Sequence, residues 1–181
     1  MPIAESAAAG PGSRVTPPDL TSQPPPGPTA VDHVRGQGPL VIEYADLECP
    51  YCARANELLA AAPVLRVFRH FPVVSKHPRA RLLAHACEAA ALQGRFWEMH
   101  DSLLDDQGHL DDPHLWRRCE RLGLDLDRFE HDRRSEAVAE RVERDFRSGM
   151  RAGVTATPTL YAGGEAYPGV PEPALLERLA A

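Results

Sequence analysis

Apolar positions fall into three regimes along the chain. Between residues 40 and 71 they come in short runs. Leu40-Val41-Ile42, with Tyr44 and Ala45, follows a Gly-Pro pair, and Val64, Leu65, Val67, Phe68 and Phe71 follow Pro63. Short apolar runs bounded by Gly and Pro predict buried strands. Between them ARANELLAAA is built of strong helix formers and stopped by Pro63. Strand, helix, strand is a βαβ unit, which predicts parallel pairing and a right-handed crossover.

From about residue 78 to 151 the period becomes helical. Leu82, Leu83, Ala86, Ala89 and Ala90 recur at helical spacing up to Gly94, and Phe96, Trp97, Leu103 and Leu104 continue it. Asp112-Pro113 reads as an N-cap with a proline in the first turn. LDRFEHDR predicts a short helix. Val138, Val142, Phe146 and Met150, four apart, predict one buried face of a long one. Three or four helices between two parts of one sheet predict an inserted helical subdomain. Beyond it, Thr159-Leu160-Tyr161-Ala162, Gly163-Gly164 and Glu165-Ala166-Tyr167 predict a hairpin, and EPALLERLAA a closing amphipathic helix.

Composition narrows the function classes. The chain has 181 residues, 43% apolar and 25% charged, with net charge −6. This is ordinary for one globular domain. The acidic balance argues against nucleic acid or an anionic membrane as the main partner. No apolar run approaches the roughly 20 residues that span a bilayer. Residues 1–29 are rich in Pro, Gly, Ser and Thr and read as a disordered arm. They show no basic start and no apolar core of a secretory leader, so residues 30–181 are expected to fold in the cytosol. An intracellular C-x-x-C is more often catalytic or metal-binding than a structural disulfide.

The chemistry centres on ECPYC, residues 48–52. A free thiol is mostly protonated at neutral pH. At the start of a helix, unpaired N–H groups and the positive dipole end would favour the Cys49 anion. Pro50 suits that first turn because its missing N–H would have no intrahelical partner. Cys52 lies about one turn further on the same face, in reach but deeper. Cys49 is therefore expected to attack and Cys52 to resolve. A closed zinc site wants four ligands. Cys87 and Cys119 are isolated in helical segments, and no spacing recommends His70, His77 or His85. No metal and no organic cofactor are expected. Cys87 reads as a buried free thiol, and Phe96, Trp97 and Met99 as core.

VDHVRG, VIEYADLECPYC, FPVVSKHPRA, QGRFWEMHD and GVTATPTLYAGG together resemble the DsbA-like branch of the thioredoxin superfamily, over residues 31–181. C-P-Y-C also occurs in glutaredoxin-like members; the helical insert assigns the branch. The resemblance implies an α/β thioredoxin-like fold with an inserted helical subdomain. It implies a thiol–disulfide oxidoreductase acting on protein thiols and disulfides, with an unassigned electron donor or acceptor. It also implies a cis-proline at Thr157-Pro158 facing the dithiol, where Thr157 would present its backbone to a substrate peptide. Relatives carry a buried acid at the position of Glu43. Glu43 is then either a buried proton relay to Cys52 or a solvated residue on an exposed strand face. Asp46 and Glu48 read as solvated loop acids, and Tyr51 as either groove lining or plain surface. Two other functions stay open: a thioredoxin-fold binding module without turnover, and a glutathione-dependent, glutaredoxin-like reductase.

Overall fold

A computed structural model of the chain describes residues 23–180. It contains β1 (His33–Arg35), β2 (Leu40–Ala45), α1 (Pro50–Ala61), β3 (Leu65–His70), α2 (Ala80–Ala91), α3 (Phe96–Asp105), α4 (Asp112–Leu122), α5 (Leu126–Asp132), α6 (Glu136–Ala152), β4 (Thr159–Ala162), β5 (Glu165–Pro168) and α7 (Pro173–Ala180). The sheet order is β1-β3-β2-β4-β5. β2 and β3 are parallel, as the βαβ pattern requires, and every other pairing is antiparallel. Gly163 and Gly164 make the hairpin turn with φ of 59° and 86°, values open to glycine at little steric cost.

Period two on β2 sorts the core. Val41 packs with Leu59 of α1, Leu160 of β4 and Leu176 of α7. Ile42 and Tyr44 point to the other face, with Val67, Phe71 and Phe146 of α6. A third cluster joins Ala45, Leu47, Cys49, Cys52 and Phe68 to buried residues of α2–α5, including Cys87, Phe96, Met99 and Cys119. Helices thus cover both faces of the sheet, and the insert packs beside the dithiol loop. α6 approaches so closely that a Cβ on Gly149 would lie 2.6 Å from the Phe71 ring and 2.9 Å from that of Tyr44.

Several expectations need correction. The middle of the chain holds five helices rather than three or four, and the last, α6, packs on the sheet. Asp111, not Asp112, caps α4, accepting from the His114 N–H. Met150 is 57% exposed. A spacing of four drifts by about 40° per step from a period of 3.6, so three steps carry Met150 off the face that Val138 and Val142 bury. The strand β1 was not anticipated. Three residues give too short a pattern, and pairing with β3 supplies what the pattern lacks. Of the proposed disordered arm, residues 1–22 lie outside the described residues. Residues 23–29 form no helix or strand and rest on the fold, with the Gln23 N–H donating to Arg151 O and Arg69 donating to Gly27 O.

Candidate active site

β2 ends at Ala45 and α1 begins at Pro50, so the loop between them must turn the chain from strand to helix. Cys49 is the N-cap of α1, with extended backbone, and Pro50 occupies the first turn. The Cys49 carbonyl accepts from the Cys52 and Ala53 N–H groups. The Tyr51 and Cys52 N–H groups at the helix start help to lower the Cys49 thiol. The positive end of the helix thus lies at the residue that carries this sulfur.

The Cys49 thiol is lowered from 9.0 to about 5. The largest cause is a hydrogen bond from the Cys52 thiol; burial opposes it, and the Thr157 side chain and the N–H groups assist. In its thiol form Cys49 sits 3.5 Å from the Thr157 carbonyl oxygen. Cys52 goes the other way, raised well above the usual thiol value, first by burial and then by its bond to Cys49 and the charges of Cys49 and Glu43. The Asp46 N–H donates to the Cys52 sulfur at 3.4 Å and partly offsets this. Two thiols three residues apart are thereby driven in opposite directions.

This yields a first expected outcome. Thiolate absorbance of the reduced protein should titrate at about pH 5 for one sulfur and disappear with Cys49→Ser. Because the folded value lies below the unfolded one, Cys49 stabilises the reduced protein fully above pH 9. That contribution is lost as pH falls towards 5, which denaturant unfolding of the reduced protein across this range checks.

The remaining anticipated residues gather around the pair. The Thr157–Pro158 bond is cis, with Thr157 half-buried and Pro158 buried. Tyr51 is 65% exposed beside Cys49. Cys49 is itself only 3% exposed, more covered than an open nucleophile would be. Glu43 is fully buried, which settles its orientation, but it is no isolated acid. Arg66, also buried, donates Nε to Glu43 Oε2 at 2.7 Å, and its Nη1 donates to Asn56 of α1 at 2.7 Å. Glu43 Oε1 has no hydrogen-bond partner among the described residues.

Other residues of the site were missed or misread. Asp46 is buried rather than solvated, and its carboxylate accepts from the N–H groups of Glu48 and Val73 and meets His77 Nδ1. It splints the loop carrying the thiols. Glu48 accepts from the Arg79 N–H at the start of α2. Gln107, in the turn after α3, donates Nε2 to Leu47 O at 3.1 Å and Cys49 O at 3.0 Å. Nothing local marks a glutamine in a polar turn as the partner of a loop some 60 residues earlier. Gln107→Ala should cost about 1 kcal/mol, the net worth of such bonds, read as a lower urea midpoint at unchanged slope.

Comparison with known proteins bears on the fold. Residues 64–180 match the family described as a DSBA-like thioredoxin domain, a stretch that begins after the two cysteines. Among solved structures, a thioredoxin-like oxidoreductase from Silicibacter pomeroyi superposes with a TM-score of 0.73 at 26% identity, over 83% of this chain and 91% of that one. The catalytic domain of Proteus mirabilis ScsC superposes at 0.71 with 17% identity, over 84% and 88%, a likeness of fold alone. In sequence, the chain is 45% identical over 146 residues to a protein named Na(+)/H(+) antiporter NhaA 3 of Salinispora tropica, and 41% identical over 149 to one named Na(+)/H(+) antiporter NhaA of Herminiimonas arsenicoxydans. These matches take in 76% and 77% of this chain but only 22% and 24% of those proteins.

Proposed function

Since this chain belongs to the DSBA-like thioredoxin-domain family, we propose that it exchanges disulfides with protein thiols, Cys49 attacking and Cys52 resolving. The observation that carries the reading is the opposite displacement of the two thiols, one lowered to about 5 and its neighbour raised. The Cys49 thiolate attacks one sulfur of a substrate disulfide. A Cys49–substrate disulfide forms and the other substrate sulfur leaves as a thiolate, taking up a proton. Cys52 then loses its proton and attacks the Cys49 sulfur. The second substrate thiolate leaves, and the protein holds the Cys49–Cys52 disulfide, two electrons poorer. Run backwards, the same steps oxidise a substrate dithiol.

Burial keeps Cys52 protonated until the mixed disulfide forms. At that point the Cys49 charge, one of the causes holding Cys52 up, is gone. The free Oε1 of Glu43 is the proton acceptor we assign to this step, with Arg66 holding the carboxylate in place. Thr157 and Pro158 form the wall against which the substrate chain lies, and Tyr51 an exposed ring at its edge. Sodium–proton exchange is not carried over from the antiporter relatives, which the chain matches over only about a quarter of their length.

The reading is tested by insulin reduction with a dithiol donor, which should proceed with the native chain. The Cys49–Cys52 potential against glutathione then assigns direction. A value of about −270 mV marks a reductase, as a cytosolic location would favour, and one of about −120 mV an oxidant. No turnover of insulin or of any small disulfide would leave the fold a binding module.

A further inference from the structure

Outside the dithiol site, α6 and the start of α2 enclose a groove of about 730 Å³. Its floor is apolar, made by Pro72, Val142 and Phe146. Its rim is cationic, with Arg81 from α2 and Arg144, Arg147 and Arg151 from α6. Elsewhere in the fold buried and half-buried arginines are engaged by acids: Arg66 by Glu43, Arg69 by Asp32, Arg133 by Asp112, Arg141 by Asp145. On this rim, among the described residues, only Arg147 is, through Glu143. Arg81, Arg144 and Arg151 make no ion pair or side-chain hydrogen bond among the described residues, and all three are exposed. Glu140 is the other acid lining the groove, which leaves, among the described residues, one carboxylate against three unengaged guanidinium groups.

That arrangement runs against the background of a chain with net charge −6. Residues 144, 147 and 151 lie three and four apart on one helix face, where like charges repel and cost stability. Guanidinium groups bind carboxylates through two parallel hydrogen bonds. The groove borders the segment that follows β3, which is tied to the dithiol loop. Pro72 precedes Val73, whose N–H donates to Asp46 at the neck of the dithiol loop. Arg151 lies in the last turn of α6, ahead of the segment that leads to Thr157.

We propose that this groove docks an acidic stretch of a partner polypeptide, carboxylates on the arginine rim and an apolar side chain on the floor, so that the partner's thiol or disulfide is delivered to Cys49. The delivery step rests on the exchange activity proposed above; the docking does not.

The full chain is titrated into a fluorescein-labelled peptide of alternating glutamates and leucines, and into its glutamine analogue, with anisotropy as the readout. The acidic peptide should bind more tightly, and more weakly as salt rises. Arg144→Glu/Arg151→Glu should lose at least about tenfold in affinity, and Arg144→Gln/Arg151→Gln should move the same way by less. In exchange assays the double reversal should raise KM for a peptide disulfide with acidic flanks. It should leave kcat, and turnover of bis(2-hydroxyethyl) disulfide, unchanged. Equal binding of the two peptides, or affinity unmoved by charge reversal, overturns the docking. So does binding of phosphatidylglycerol vesicles, or self-association through this face, in place of the peptide. Failure of the native chain to turn over the small disulfide sinks the exchange activity instead and leaves the anisotropy result to judge the groove.

Discussion

Replacement of Cys49 by serine is expected to abolish disulfide exchange. The loss should be on the order of 10⁶-fold, the scale of removing a covalent nucleophile. The reason is that the anion is built at one atom. The Cys52 thiol, the Tyr51 and Cys52 N–H groups and the Thr157 side chain all serve the Cys49 sulfur. A serine hydroxyl at the same position would not ionise at neutral pH. Cys52→Ser should behave differently. Attack still occurs, resolution does not, and a Cys49–substrate disulfide accumulates that mass spectrometry detects and dithiothreitol releases. In Cys52→Ala, which keeps no donor there, the Cys49 thiolate should also titrate higher, since the largest cause of its lowering is a bond from Cys52. Iodoacetamide at pH 6 should label Cys49 first in the native protein. Preferential labelling of Cys52, or retained turnover by the Cys49 variant, would reverse the roles.

Glu43→Ala is expected to destabilise the protein by about 3–5 kcal/mol, the cost of leaving one partner of a buried pair uncompensated. Glu43 and Arg66 are both out of solvent, and Arg66 is further tied to Asn56, which also receives Arg35. Removing the carboxylate strands a guanidinium between β3 and α1. Guanidinium chloride unfolding should show a lower midpoint at unchanged slope. The double variant Glu43→Leu/Arg66→Met should recover most of the loss, because an apolar pair of similar volume carries no charge to desolvate. Full stability of Glu43→Ala alone would mean that the pair is not buried as described.

The two variants probe features that were legible in the chain to different degrees. The cysteine pair could be read directly: a strand-like run, then Cys-Pro-Tyr-Cys, then helix formers, places a thiol at a helix start because those steps are local. The parallel β2–β3 pairing followed from the same order. Glu43 was legible only as an alternative. Period two allowed it to face inward, but its partner Arg66 lies 23 residues on and reads by itself as a polar break in a strand. Asp46 was misread for a related reason. An acid in a loop is usually solvated, and here backbone N–H groups from Glu48 and Val73 make its burial tolerable.

What the amino-acid order determined by itself was therefore the local chemistry: which sulfur caps a helix, which strands flank it, where glycines permit the hairpin, and that the folded part carries a helical insert. Only the tertiary structure decided the surroundings of those groups. Gln107 reaches back across the insert to hold the loop, Arg66 pairs with Glu43, Thr157 comes against Cys49, and three arginines without an acid partner among the described residues meet over one groove. The physical division is one of range. Propensity, capping and periodicity act within a turn or two of chain, whereas the proton affinity of a thiol or the partner of a buried charge depends on whatever packing brings within a few ångströms, from anywhere in the sequence.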